Sequence, residues 1–246
     1  MKKCIAFILI LSYTACAAQE IEGVITYQRT QFWSKILPKL TYLSKEEMDR
    51  ELRTWGSNDE GWKSKYQLVF NGTESRYTEL NETSEYGWNE RDSDFMLYRN
   101  QETGLRSEIE EIGGKTYLIG DSLHMPKWKV LNEIREISGK ICMKAFTYDS
   151  IRKQNVVAWF TGDIAVNTGP ERYFGLPGAI LELDIDDGAV VVTALKIEMK
   201  PVNELLKFNK KVKGKKISGN DYNLLVTSIL RDAMKAHRYP YWSMRF

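Results

Sequence analysis

The sequence predicts a mainly β protein of the α+β class: one strongly curved antiparallel sheet, or an incompletely closed barrel, with a helix near each end. Three observations lead there. Runs of alternating apolar and polar residues follow one another from Thr116 to Glu198 with only short turns between them. Two stretches carry helical spacing, and they lie far apart in the chain. Strands and helices never alternate, which excludes a βαβ architecture.

At the start of the chain, Lys2 and Lys3 precede an apolar run, "CIAFILILSY", and "TACAAQ" follows with small-residue cleavage positions. Residues 1–18 therefore read as a signal peptide, and residues 19–246 as a single exported β-rich domain. Cys16 after "YTA" loosely resembles a bacterial lipobox, so lipidation there is the alternative; Tyr13 suits the first lipobox position poorly, and Ala18-Gln19 is the better junction. Nothing later approaches ~18 uninterrupted apolar residues, so no transmembrane segment is expected. Taking Lys2 and Lys3 from 35 basic residues leaves 33 against 33 acidic ones. Such a balance argues against nucleic-acid binding. Of three cysteines only Cys142 lies beyond the leader. It reads as a small buried apolar residue, and no internal disulfide is expected.

The first strand is "GVITYQRTQFW". A helix follows in "LSKEEMDRELRTWG", where Ser44 as N-cap and Glu47 at N3 form a capping box and Gly56 closes the C-terminal end. "KYQLVFNGTESRYTEL" reads as a hairpin turning at Asn71-Gly72. Residues 82–112 are polar and acidic with Trp88, Phe95, Met96 and Tyr98 embedded; they read as a long excursion followed by strands. Then come "TYLIGDS", "WKVLNEIREI", "ICMKAFTYD", "VVAWFTGD", "AILELDI" and "AVVVTALKIE", with turns at Gly139 and Asp187-Gly188. Short turns between consecutive strands imply antiparallel pairing. "KFNKKVKGKKISGN" reads as a basic loop. "DYNLLVTSILRDAMKAHR" reads as a helix with Tyr222, Leu225, Val226, Ile229 and Met234 on its apolar face.

Within "YFGLPGAILELDI", Leu176-Pro177-Gly178-Ala179 fits a type II turn, proline presetting the negative φ and Gly178 taking the positive one. Gly175 permits close backbone approach. The stretch is a rigid corner feeding a half-buried strand, with a binding loop as the alternative. "GPERYFGLPGAILELDI", preceded by "AWFTGDIAVNTGP" and by "YLIGDSLHMPKWKVLNEIREISGKICMKAF", resembles the GLPGLI family of exported Bacteroidota proteins. The resemblance runs from Thr116 to Asn223, with Ala179 in place of the family's usual leucine and Ala165 where proline is common. It implies a family without settled activity, and no catalytic residues come with it.

His124 and His237 are the only histidines; neither a His-Glu-x-x-His nor a Cys-x-x-Cys is present, so no metal site is expected. A soft copper site from His124, Cys142 and Met143 is the remote alternative. Gly-x-Ser-x-Gly and phosphate-loop patterns are absent. Glu108-Glu110-Glu111 and Asp184-Asp186-Asp187 imitate acid pairs or calcium ligands, yet aspartate is expected at a hairpin turn. No catalytic residue and no cofactor are expected. The aromatics Trp159, Phe160, Tyr173 and Phe174 surround the motif and are the candidate ligand-binding residues. The cluster Lys207, Lys210, Lys211, Lys213, Lys215 and Lys216 is either a solvated loop or a peripheral contact with anionic lipid. The expected function is a non-enzymatic periplasmic or outer-membrane-associated protein that binds an apolar or extended ligand. Its shape would resemble the periplasmic lipoprotein-carrier fold, an analogy of architecture. An interaction accessory of an envelope transporter or assembly machine, and an uncharacterised hydrolase, are the alternatives.

Overall fold

The computed structural model describes residues 21–80, 94–207, 211–242 and 244–246. Residues 1–20 with Cys16, the residues around Trp88, and Lys210 lie outside them. In chain order the elements are β1 (Gly23–Gln31), α1 (Trp33–Ile36), α2 (Lys45–Trp55), β2 (Trp62–Phe70), β3 (Glu74–Leu80), β4 (Met96–Asn100), β5 (Leu105–Ile112) and β6 (Lys115–Ser122). They continue with β7 (Lys129–Ile137), β8 (Lys140–Asp149), β9 (Gln154–Thr161), β10 (Ala179–Ile185), β11 (Val190–Met199), α3 (Asn203–Leu206), β12 (Lys215–Ser218) and α4 (Gly219–Lys235).

The strands form one sheet in the order β12-β6-β5-β4-β3-β2-β1-β11-β10-β9-β8-β7. Every adjacent pair is antiparallel except β12 with β6, which is parallel. β2 to β6 make one meander and β7 to β11 another, and β1 joins them at the centre of the sheet. The sheet is not closed into a barrel, because β12 and β7 remain its two edges.

Curvature follows from what one face touches. β1 and β5 stand four strand spacings apart, ~19 Å if the sheet were flat. Arg29 of β1 nevertheless reaches Glu171 while Glu108 and Glu110 of β5 reach the next residue, Arg172. Only a sheet curled around residues 171 and 172 allows that. The curl brings its distant ends together as well. Arg152, between β8 and β9, donates from Nη2 to the Tyr222 hydroxyl of α4 at 2.8 Å. Tyr222 and Val226 pack with Tyr117 and Ile119 of β6 and with Ile151. Helix α4 thus bridges the gap that the strands leave open.

Local chemistry accounts for most boundaries. Ser44 and Glu47 form the capping box of α2, and Ser218 with Asp221 forms another on α4. Gly56 ends α2 with right-handed φ, donating its N–H to the Leu52 carbonyl, so no left-handed cap is used there. Between β2 and β3, the Asn71 side chain accepts from the Thr73 and Glu74 amides, and Gly72 is not left-handed. The turn is therefore built by an asparagine side chain, not by a two-residue Asn-Gly loop. Ser138 and Gly139 are both left-handed, as a tight hairpin between β7 and β8 requires.

Three expectations need correction. The basic stretch after Lys207 is not all loop, since Lys215–Ser218 adds β12 to the sheet edge. The apolar face of α4 uses Tyr222, Leu225, Val226 and Ile229 as expected and adds Ala233, whereas Met234 is half exposed. At 100° per residue Ala233 returns to the bearing of Tyr222, and Met234 overshoots it. The corner at Pro177 is tighter than a type II turn: the Gly178 amide donates to Leu176, two residues back, at 2.7 Å.

Candidate functional site

The segment from Gly162 to Gly178 connects β9 to β10 and lies against the inward face of the sheet. Its path is pinned at its far end. Gly178 has φ +147°, and a Cβ there would sit 2.0 Å from the Thr161 carbonyl oxygen. The Ala179 amide donates to Ile164, and the Ile180 amide donates to Thr168. With both ends clamped, the middle of the segment delivers Glu171 and Arg172 into the interior.

Glu171 receives Arg245 Nη2 at 2.6 Å and faces Arg29 Nε at 3.3 Å. The Tyr77 hydroxyl donates to it at 3.5 Å. Burial would raise this carboxyl, but Arg245, Arg29 and the Arg245 hydrogen bond outweigh it and hold the group below its ordinary value. Arg245 itself lies over two rings, 4.0 Å from the centre of Phe95 and 4.8 Å from that of Tyr66. Beside this centre, Arg172 takes Glu108 at 2.8 Å and Glu110 at 2.5 Å, and Arg106 takes the other oxygen of Glu108 at 2.9 Å. Glu108 follows the same pattern, raised by burial but lowered further by Arg172 and Arg106. Arg99 is held differently, by the main-chain carbonyls of Gly169 and Glu171 and by the Phe174 ring at 5.0 Å. Burial pulls its guanidinium down to about 10.

Part of this network forms the floor of a cavity of about 610 Å³. Its walls come from Pro126, Lys127 and Lys129 ahead of and in β7, from Phe146 to Asp149 of β8, from Arg152, and from Tyr173 and Phe246. Arg106, Arg172, Arg245 and Glu171 line its inner side, and His124 its rim. Arg152 pairs with Asp149 at 3.3 Å and with the Tyr222 hydroxyl. Lys127 and Lys129 are exposed and have no carboxylate partner among the described residues. Tyr148 is half exposed at the opening. The site therefore joins aromatic walls to a surplus of cations.

Of the four aromatic candidates, only Tyr173 lines this cavity. It stands 6.2 Å from Trp128 in an edge-to-face pair. Trp159 is buried on β9 beneath Arg135, 4.2 Å from its ring, and Lys144 at 5.7 Å. Phe160 is in the main core. Phe174 is buried beside Arg99, and its carbonyl accepts from the Trp128 indole at 2.8 Å. Gly175 is left-handed with Met125 against it, and none of Gly175, Leu176, Pro177 and Gly178 lines the cavity. Cys142 is buried, and burial pushes its thiol up to about 11. No group of three or more His, Cys, Asp or Glu side chains placed to hold a metal is found among the described residues.

Sequence reasoning singled out Glu108 and Glu110 only as an acidic run and passed over Arg106, Arg152, Arg172 and Arg245. One signal was available. Glu171-Arg172 is an adjacent charged pair inside an otherwise apolar and glycine-rich motif, where burial demands partners.

Over residues 149–182 the chain matches the model of a family described as a protein of unknown function (Porph_ging). That span holds Arg152, Glu171, Arg172 and the turn at Gly175 to Gly178. No curated protein matches the chain. Among solved structures, PNGF-II in space group C2 superposes with a TM-score of 0.55 at 16% identity, over 85% of this chain and 33% of that one. Its P21 form gives 0.54 at 15%, over 84% and 33%. The chain thus spans about a third of the length of those structures, and the likeness is one of fold. No helix among the described residues is long and apolar enough to cross a membrane.

Proposed function

We propose that this chain is an exported, non-enzymatic binding protein that takes an extended ligand into the cavity between the β7–β8 side of the sheet and the Glu171–Tyr173 segment. The observation that carries the reading is the combination of a 610 Å³ space, rings on its walls and a rigid charged floor. Binding without chemistry is supported by the state of the inner carboxylates. Glu108 and Glu171 are locked ionised by arginines, which leaves neither of them poised to donate or abstract a proton near neutrality. Kinship with the GLPGLI family is supported by the motif turn, which falls inside the matched segment. The leader reading and the periplasmic location belong to the same proposal.

Two naphthyl probes test it, uncharged N-phenyl-1-naphthylamine and its sulfonate analogue 8-anilino-1-naphthalenesulfonate. At least one should bind saturably, and Tyr148→Ala should weaken it about fivefold without moving the unfolding midpoint. Absence of saturable binding by both, or binding indifferent to Tyr148→Ala, overturns the cavity as the ligand site.

A second reading has one observation in its favour. β7 is an unpaired edge, and exposed Val130, Ile134, Ile141 and Met143 lie on it and on its neighbour. An envelope partner could add a strand there. Copurification of a protein with the tagged chain, abolished by Ile134→Lys, would support that role; unchanged copurification with the variant would remove β7 as its basis.

A further inference from the structure

The charges within the site do not balance. Of six neighbouring guanidiniums, Arg106, Arg152, Arg172 and Arg245 line the cavity and Arg29 and Arg99 belong to the network behind it. The carboxylates that face them most closely are Glu108, Glu110, Glu171 and Asp149. Asp121 approaches Arg106 only at 3.9 Å. Lys127 and Lys129 add two more positive charges at the mouth. A positive surplus inside walls of low dielectric focuses its field into the space that opens beside them. Arginines already bound to carboxylates are held in place, so such a site costs little reorganisation when an anion arrives. The rings of Tyr148, Tyr173 and Phe246 line the same space.

Resting on the binding role above, we infer that the ligand carries an oxyanion, a carboxylate, sulfate or phosphate group, next to a planar or apolar portion. The oxyanion sits toward Lys127, Lys129 and Arg152, and the apolar portion lies against Tyr148 and Tyr173. This differs from the wholly apolar ligand that the aromatic content alone suggests.

The paired probes decide it, because they share one ring skeleton and differ in the sulfonate. The sulfonate probe should bind at least about tenfold more tightly than N-phenyl-1-naphthylamine. Its affinity should fall between 50 and 500 mM NaCl while that of the uncharged probe holds, as screening demands. Lys127→Ala with Lys129→Ala removes two exposed charges without touching the core, and should weaken the sulfonate probe about fivefold and leave the uncharged one unchanged. Inorganic phosphate and acetate, compared as competitors at constant ionic strength, separate a phosphate-type headgroup from a carboxylate. Equal affinity for the two probes, salt-independent binding, or displacement by neither anion overturns the oxyanion assignment while leaving the cavity's binding role intact. Failure of both probes to bind would instead remove the role itself.

Discussion

Arg245 Nη2 lies 2.6 Å from Glu171 Oε1, and the same carboxylate oxygen also faces Arg29 Nε at 3.3 Å. One buried negative charge thus holds two positive ones, each from a different part of the chain. Replacing Glu171 by Gln keeps the shape and removes the charge, leaving two guanidiniums facing each other without compensation. The expected loss is about 3–5 kcal/mol in urea unfolding. A change below roughly 1 kcal/mol would mean that the pair is solvated well enough to stand alone.

Acid should act through the same carboxylate. Glu171 and Glu108 titrate below their ordinary value of 4.5 in the folded chain. A depressed carboxylate stabilises the fold above the unfolded value and loses that contribution as pH falls through the folded one. The urea midpoint should hold steady from neutrality down to about pH 5 and drop once the pH passes below 4.5. In Glu171→Gln the drop should be smaller. A midpoint that rises on acidification, or an identical acid loss in both proteins, would contradict the assignment.

Gly178 admits no side chain. Its φ of +147° disfavours every L residue, and an added Cβ would meet the Thr161 carbonyl oxygen at 2.0 Å. Gly178→Ala should therefore cost about 3 kcal/mol or more, because strain and clash act together. Thermal unfolding measures it. Wild-type stability for this variant would show that the Pro177 corner can relax.

Trp159 lies in the main core cluster beneath Arg135, so it should stabilise the fold without taking part in uptake of ligand. Trp159→Leu removes the ring beneath Arg135 and Lys144 and should cost about 2 kcal/mol. Affinity for the sulfonate naphthyl probe should stay at the wild-type value. Weakened binding at unchanged stability would place the ligand on the other side of β9.

The elements legible in the sequence were those whose signal is local. Ser44 with Glu47, Gly139, and the alternation in "AILELDI" each act on neighbours a few residues away, and the sheet strands follow from them. β12 escaped because "KKIS" is too short to show a period, and its strand character comes from the backbone of β6. The site was harder to see for a different reason. Arg106, Arg152, Arg172 and Arg245 are spread along the chain, and only the curl of the sheet gathers them. Tyr173 was found because it adjoins the motif. Trp159 and Phe160 are adjacent on one strand, so alternation turns them to opposite faces but does not say which neighbours cover each.

The central place of β1 has a consequence for how the fold assembles. Its residues pair on one side with β2, next along the chain, and on the other with β11, so that Gln31 meets Val190 and Gly23 meets Met199. The meander from β2 to β6 can zip up from hairpins as it is made, and so can the meander from β7 to β11. The seam between them must wait until β11 exists, leaving one long edge of β1 open during synthesis. Pairings of such sequence separation are slow to form. The rate-limiting event of folding should accordingly be the docking of two preassembled half-sheets along β1, with Glu171 and Arg172 sealed inside in the same step.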